Sequence, residues 1–199
     1  MKIRQLLLAA SAALLSLGLT AAPQIGMPAP DFTLVDSTGA SHKLQDFAGK
    51  NVVLEWTNHD CPFVQKHYQG NMQALQKEMT AQDVVWLSVI SSAPGKQGHV
   101  SGAKADELTA SRNAAPTAVV FDESGVVGQA YAAKTTPHMY VIDKAGVLQY
   151  MGGIDSIPSA KVADIAKATP HFANAANAVL AGKTPDPAIT KPYGCSVKY

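Results

Sequence analysis

The stretch Glu55–Tyr68, EWTNHDCPFVQKHY, leads from the end of an apolar run through a polar turn to a cysteine directly before a proline. A cysteine is a nucleophile only as the thiolate, and the pKa of a free thiol is about 8.5. The unpaired N–H groups and the dipole at a helix N-terminus favour an anion there, and proline suits the first helical position. We therefore expect Cys61 to cap a helix that begins at Pro62, with a lowered pKa and thiol-redox chemistry.

The residues just before this thiol are polar. The segment Thr57–Asp60 argues against deep burial of Cys61, so an inert cysteine packed in the core is the weaker alternative. His59 adds positive charge near the sulfur when it is protonated, whereas Asp60 opposes this effect.

The usual second thiol of a redox loop is missing. Val64 stands three positions after Cys61, and the chain contains two cysteines, the other being Cys195. Only one pairing is possible, between Cys61 and Cys195. Two interpretations remain open: a disulfide that opens and closes during catalysis, and a permanent staple that stabilises by up to about 4–5 kcal/mol.

A second site signal is KTTPHMYVID, in which Thr136 and Pro137 immediately precede an apolar strand. Proline is tolerated in a strand only at its first residue or at a sheet edge. A proline between a helix and a strand in an α/β protein favours a cis Thr136–Pro137 peptide bond. An ordinary trans turn is the alternative.

The elements that position these residues follow from hydrophobic periodicity. Alternation and turn residues predict a hairpin in residues 31–47, buried strands at 51–56, 83–90 and 117–121, and a terminal hairpin in residues 138–153. Helical spacing predicts a helix from Pro62 to Met79, weakened by Gly70, and further helices in residues 103–112, 127–133, 159–168 and 171–182. This order predicts an α/β fold with a central mixed β-sheet flanked by helices, an N-terminal β-hairpin and a C-terminal helical tail.

The N-terminal residues have the pattern of a secretory signal peptide. A basic start with Lys2 and Arg4 is followed by a short apolar run and small residues, which predicts cleavage near residue 22. An uncleaved anchor is the alternative. We expect an exported, periplasmic protein with no stable membrane association after cleavage. Without the two leader charges, 14 basic residues face 15 acidic ones, and their scattered distribution indicates no nucleic-acid partner.

Three of these segments resemble one protein group. VVLEWTNHDCPFV is similar to the active-site strand, loop and helix start of the thioredoxin superfamily, and more narrowly to exported TlpA-like and AhpC/TSA-type redoxins. APDFTLVDSTGASHKLQDFAGKNVVLEW is similar to the N-terminal hairpin and first core strand of these redoxins, and TTPHMYVIDKAG to their cis-proline loop and final hairpin. KPYGCSVKY resembles the tail of a peroxiredoxin-like subgroup. We expect a thioredoxin-like redoxin domain in residues 23–155 and a helical extension and tail in residues 156–199.

The resemblance implies roles for individual residues. Cys61 takes the position of the reactive cysteine, and Pro137 that of the cis-proline, whose preceding backbone pairs with a bound substrate chain. Glu55 takes the position of a buried acid that shuttles protons, and burial would raise its pKa. An exposed or salt-bridged edge glutamate is the alternative. The predicted catalytic residues are Cys61, Cys195, Glu55 and Asn58, and the predicted substrate-binding residues are His59, Pro62, Thr136 and Pro137. We expect Asn58 or His59 to polarise the thiol.

Two departures from the group qualify this assignment. Asn58 stands where peroxiredoxins hold a threonine or serine, and Arg112, the only arginine after the leader, lies in no matching motif. The predicted function is thus that of a thiol-dependent oxidoreductase that reduces a peroxide or a protein disulfide, with an external thiol as electron donor and no cofactor or metal. The alternative is a non-catalytic exported binding or assembly module with a structural Cys61–Cys195 disulfide.

Overall fold

The computed structural model describes residues 22–199. The predicted leader lies outside these residues, apart from its last position, Ala22. Within the described part of the chain, no helix is both long enough and apolar enough to cross a membrane.

Nine strands and five α-helices are found in residues 22–199. The strands are β1 (Thr33–Asp36), β2 (Ser41–Lys43), β3 (Val52–Trp56), β4 (Val85–Ile90), β5 (Ala118–Phe121), β6 (Thr135–Thr136), β7 (His138–Ile142), β8 (Leu148–Gly152) and β9 (Cys195–Ser196). The helices are α1 (Pro62–His67), α2 (Asn71–Thr80), α3 (Gly102–Ser111), α4 (Val126–Ala130) and α5 (His171–Leu180). Short 3-10 helices span Leu44–Phe47 and Val162–Lys167.

Seven strands form one mixed sheet in the order β2-β1-β5-β4-β3-β7-β8. The central strands β3, β4 and β5 are parallel, and both sides are completed by antiparallel strands. The three parallel strands are apolar because helices cover both faces of the sheet. The predicted α/β fold with a mixed sheet, an N-terminal hairpin and a terminal hairpin is confirmed.

The long helix predicted after Cys61 is wrong as a single element. Gly70 adopts a φ of 115°, a left-handed conformation that an α-helix cannot contain, and the helix divides there into α1 and α2. The helix predicted in residues 159–168 is also wrong, because Val162–Lys167 forms a 3-10 helix with no buried residue. Without an apolar face to bury, this segment lacks the packing that stabilises most helices in proteins.

Helix α5 covers one face of the sheet. Phe172 of α5 is fully buried and packs edge-to-face on Trp86 of β4, with the ring centroids 5.3 Å apart. This face also buries Met72, Met79 and Tyr150. The segment that follows the terminal hairpin therefore shares the hydrophobic core of the sheet.

Replacement of Phe172 by alanine tests this shared core. We expect Phe172→Ala to lower the free energy of unfolding by about 3–5 kcal/mol, because a buried ring is replaced by a cavity. Val126→Ala is the control, since Val126 is 65% exposed and should change stability by less than about 0.5 kcal/mol. Urea unfolding followed by circular dichroism should remain one transition. Separate melting of α5 would contradict a shared core.

Candidate active site

Strand pairing brings the two predicted site segments together. In the antiparallel pair of β3 and β7, Trp56 at the end of β3 lies opposite His138 at the start of β7. The loop that follows β3 and the Thr136–Pro137 segment that precedes β7 therefore meet at one edge of the sheet.

Cys61 lies at the N-cap of α1, and Pro62 is the first helical residue, as the sequence predicts. The Thr136–Pro137 peptide bond is cis, which also confirms the prediction. The Cys61 thiol donates a hydrogen bond to the Thr136 carbonyl oxygen, with 3.1 Å between sulfur and oxygen. Cys61 and the cis-proline loop thus form a single site.

The C-terminal tail, residues 183–199, completes this site. Strand β9 pairs in antiparallel orientation with β6, and Cys195 lies opposite Thr136. Beyond Cys195, the Val197 amide donates to the Lys134 carbonyl at 3.2 Å, and the Tyr199 hydroxyl donates to the Ala133 carbonyl at 2.8 Å. The tail therefore crosses the site as an extended strand and carries the second cysteine to the first.

Gly194 makes this close approach possible. A Cβ atom at position 194 would lie 2.0 Å from the carbonyl oxygen of Thr136, and the φ of Gly194 is +135°. Only glycine combines the absence of a side chain with easy access to this backbone conformation.

The expectation that Cys61 avoids deep burial is wrong. Its exposed fraction is 0%, although the preceding loop is polar. The tail lies against Thr136, the residue to which the thiol is hydrogen-bonded. This cover comes from a segment remote in sequence, so the local pattern contained no sign of it.

Hydrogen bonds shift the pKa values of the two thiols in opposite directions. Burial by itself would raise the pKa of Cys61, but hydrogen bonds from the Cys195 side chain and backbone, the Val64 N–H and the Thr136 side chain lower it below its ordinary value. Burial, and then the hydrogen bond and charge of Cys61, raise the pKa of Cys195. Cys61 is therefore the thiol that ionises first, while Cys195 keeps its proton.

The groups that lower the pKa of Cys61 are nearby donors. One is the Val64 N–H in the first turn of α1, and two belong to the tail strand. The tail covers the sulfur and also favours its ionised form.

Asn58 and His59 shape the loop around the thiol. The Asn58 side-chain oxygen accepts from the Asp60 N–H at 2.9 Å, and its side-chain nitrogen donates to the Gln97 carbonyl at 3.2 Å, so its amide is engaged away from Cys61. Its backbone carbonyl accepts the Cys61 N–H at 3.0 Å. His59 Nε2 lies 3.2 Å from the Asp60 carboxylate, and burial lowers the pKa of His59.

Glu55 is fully buried in β3 and is surrounded by donors. Its carboxylate accepts hydrogen bonds of 2.8–3.2 Å from the side chains of Tyr68, Gln76, Trp86 and Ser88. Burial raises its pKa, and the four hydrogen bonds oppose this effect only in part. The alternative of an exposed or salt-bridged edge glutamate is wrong, because its exposed fraction is 0%.

No sequence motif places Arg112 in the site, yet the fold brings it to the loop before Cys61. Its guanidinium lies 3.4 Å from the His59 carbonyl oxygen and 5.1 Å from the centroid of the Tyr68 ring. A cavity of about 40 Å³ adjoins these residues and is also lined by Ser88, so it reaches from the loop to two donors of Glu55. No motif marked Arg112, because it follows α3, far from Cys61 in sequence.

No metal site accompanies these groups in residues 22–199, where no three His, Cys, Asp or Glu side chains stand close enough to hold an ion.

Comparison with known proteins places the chain among redoxins. The model of the AhpC/TSA family matches residues 25–151, whereas no curated protein matches. The fold is similar to that of a hypothetical protein from Sinorhizobium meliloti 1021, with 21% identity, coverage of 90% of this chain and 96% of that chain, and a TM-score of 0.72. An uncharacterised conserved protein from Geobacillus kaustophilus has 24% identity, coverage of 88% and 92%, and a TM-score of 0.72.

A further similar structure is that of a putative thiol:disulfide interchange protein DsbE from Chlorobium tepidum. It shares 25% identity, covers 65% of this chain and 85% of its own, and has a TM-score of 0.51. These comparisons and the mixed sheet establish a thioredoxin-like fold.

Gly194→Ala should expose Cys61 without altering either cysteine. The added methyl group collides with the Thr136 carbonyl, so the tail must leave β6, and we expect alkylation of Cys61 by iodoacetamide to accelerate at least about ten-fold. Mass spectrometry of the Cys61 peptide gives the rate.

Gly182→Ala is the matched control for this variant. Gly182 also has a positive φ, +70°, but a Cβ atom added there would meet nothing within 4 Å, so backbone strain without a collision should leave the alkylation rate unchanged. Equal rates in both variants and the wild type would show that the tail does not guard the thiol.

Proposed function

The chain belongs to the AhpC/TSA family and is a thiol-based oxidoreductase, and on this premise we propose that Cys61 reduces substrate disulfides and that Cys195 is its resolving thiol. The observation that carries this proposal is the pairing of Cys195 with Thr136 beside the buried Cys61 sulfur. The pairing supplies the partner that Val64 cannot provide. The similarity to a protein named as a thiol:disulfide interchange protein supports the same chemistry.

The reaction has two exchange steps. The Cys61 thiolate attacks one sulfur of the substrate disulfide; that bond breaks, and the departing thiolate takes up a proton. Cys195 then loses its proton and attacks the Cys61 sulfur, which releases the second substrate thiol. The substrate gains two electrons, the protein is left with a Cys61–Cys195 disulfide, and an external thiol donor reduces it again.

The unequal pKa values set the order of these steps. Cys61 has the lowered pKa and attacks first. The negative charge of Cys61 is one cause of the raised pKa of Cys195, and this charge disappears once Cys61 forms the mixed disulfide. The first step therefore helps to activate the thiol that performs the second.

We assign Glu55 as the acceptor, through water, of the proton that Cys195 loses in the second step. The cavity between the active-site loop and the Glu55 donors has a volume of about 40 Å³, which exceeds the roughly 10–15 Å³ that one water requires. His59 lines the cavity on the loop side, while Tyr68 and Ser88 line it and bond Glu55. A raised pKa allows this carboxyl group to exchange protons nearer to neutral pH.

The remaining assignments concern location and substrate contacts. The leader pattern supports export to the periplasm, where an external thiol would supply electrons. His59, Pro62, Thr136 and Pro137 surround Cys61 and form the substrate-binding surface. A protein substrate would compete with β9 for the backbone of Thr136, and Asn58 would hold the loop rather than polarise the thiol.

Peroxide reduction is the second candidate function, and Arg112 favours it. An arginine near a reactive thiol can stabilise the oxygen that departs when a peroxide bond breaks, and Arg112 reaches the carbonyl of His59, two residues before Cys61. Cys61 would then form a sulfenic acid, which Cys195 would convert to the disulfide with release of water.

The complete burial of Cys61 favours a third possibility, a permanent staple in a non-catalytic module. Structural disulfides typically have reduction potentials below about −300 mV. The potential of the Cys61–Cys195 pair therefore separates the enzyme from the module.

Cys195→Ser should trap the reaction after its first step. With a reporter protein that carries one accessible disulfide, we expect a mixed disulfide with Cys61 to accumulate, because serine cannot resolve it. The wild type should instead release reduced reporter, and Cys61→Ser should form no adduct. Non-reducing gel electrophoresis followed by mass spectrometry identifies the adduct.

The other two functions give different results in the same experiment. Rapid sulfenic acid formation on Cys61 with dilute hydrogen peroxide, together with no adduct, would transfer the assignment to peroxide reduction. A potential below about −300 mV and inertness towards both oxidants would indicate the staple.

Glu55→Gln tests the proton acceptor. The carboxylate form of Glu55 grows as pH rises through its raised pKa, so the rate of the second step, in which Cys195 loses its proton, should rise over that range in the wild type. In Glu55→Gln we expect this rise to vanish and the rate to fall by about 100-fold, a typical loss for a general base. The release of the second substrate thiol from the mixed disulfide gives the rate.

Ser88→Ala is the companion variant. It removes one donor to the Glu55 carboxylate, which raises the pKa of Glu55 further, so the rise of the rate should move to higher pH. If Glu55 serves only the core, both variants will lower the melting temperature and leave the pH dependence of the rate unchanged.

A further inference from the structure

A buried polar cluster joins the helix that carries Cys61 to the tail that carries Cys195. Lys66 and His67 of α1 lie with Asp155 and with Tyr193, two residues before Cys195. The Lys66 and His67 side chains have an exposed fraction of 0%, and the Asp155 side chain of 6%. A buried lysine is costly unless its charge and its hydrogen-bond donors are satisfied.

The hydroxyl of Tyr193 is the centre of this cluster. It donates to the Asp155 carboxylate and lies 3.2 Å from Lys66 Nζ and 3.1 Å from His67 Nε2. Asn71 donates to His67 Nδ1 at 2.8 Å, which leaves the proton of neutral His67 on Nε2, where it points to Tyr193. Burial lowers the pKa of His67 to about 4, in agreement with the neutral ring.

All three donors of Lys66 are used. One goes to Asp155 at 3.2 Å, one to the Ile157 carbonyl at 3.3 Å, and the third to the Tyr193 hydroxyl. Tyr193 is the tail's only member of this network among the described residues, and its ring also packs edge-to-face on Phe63 of α1, with the centroids 5.8 Å apart. If the tail left, Lys66 and His67 would each lose a partner in a buried site.

We propose that Tyr193 is a positioning residue whose hydroxyl, held by Lys66, His67 and Asp155, docks the tail so that Cys195 lies over Cys61. This inference rests on the proposed role of Cys195 as resolving thiol. Helix α1 supplies the nucleophile at its N-cap and, within its next six residues, two of the three docking partners, Lys66 and His67, so the two cysteines share one rigid support. The docked tail hides Cys61 before a substrate arrives and returns Cys195 afterwards.

This position of Tyr193 in the cycle predicts opposite effects on the two exchange steps. Oxidised glutathione is the probe: Cys61 attacks it and releases one glutathione, and Cys195 then attacks the mixed disulfide and releases the second. The first step requires the tail to lift, whereas the second requires it to dock again. A weaker docking contact therefore accelerates the first release and slows the second.

In Tyr193→Phe we expect the first release to become about ten-fold faster and the second about ten-fold slower, the order expected for one hydrogen bond to charged groups. Tyr131→Phe is the matched control, because it removes a buried 2.7 Å hydrogen bond to the Pro30 carbonyl and no tail contact. It should lower the melting temperature without changing either release. Stopped-flow kinetics with quantified glutathione follow both steps.

Each outcome decides one of the two assignments. If Tyr193→Phe and wild type release both glutathiones at equal rates, the docking role of Tyr193 is refuted. If the wild type never releases the second glutathione, the resolving role of Cys195 fails, and the first release alone then tests whether Tyr193 guards Cys61. Should Tyr193→Phe not fold, Lys66→Met removes the buried charge while filling its space, and the same opposite changes are expected.

Discussion

The pairing of a two-residue strand with the backbone before Pro137 is the constraint on which the rest of this site depends. Thr136 binds the Cys61 thiol through its carbonyl and faces Cys195 across the β6–β9 ladder. Gly194 permits that approach, because any side chain there would overlap the Thr136 carbonyl. One short backbone contact therefore brings together two cysteines that are far apart in the sequence.

This arrangement links the activation of the thiol to its protection. Both the side chain and the N–H of Cys195 are among the donors that lower the pKa of Cys61, and the strand that carries them lies over the sulfur. A covered thiolate cannot react with a bulky oxidant, and an uncovered one loses part of its stabilisation. In the proposed reaction, the reactivity of Cys61 would depend on how often the tail lifts, a local opening whose free energy can be far below that of global unfolding.

Two buried polar networks contact the helices that follow Cys61. The Glu55 carboxylate is held by four donors, one of them Gln76 of α2, and Lys66 of α1 is held with Asp155 and Tyr193. Buried polar groups destabilise a fold unless they are fully partnered, and partnered networks are rigid. The break at Gly70 separates the two helices, and Cys61 caps the first of them.

Local sequence patterns were sufficient for much of this protein. Apolar runs and turn residues identified the strands, and the Cys61–Pro62 and Thr136–Pro137 pairs identified the N-cap and the cis bond, because each depends on the chemistry of adjacent residues. The sequence also left Cys195 as the sole partner of Cys61. It did not reveal the burial of Cys61, the approach of Arg112 or the network around Tyr193. These were decided by the tertiary structure alone, because each joins residues that meet only after the sheet has formed and the tail has folded back, and no spacing along the chain records such contacts.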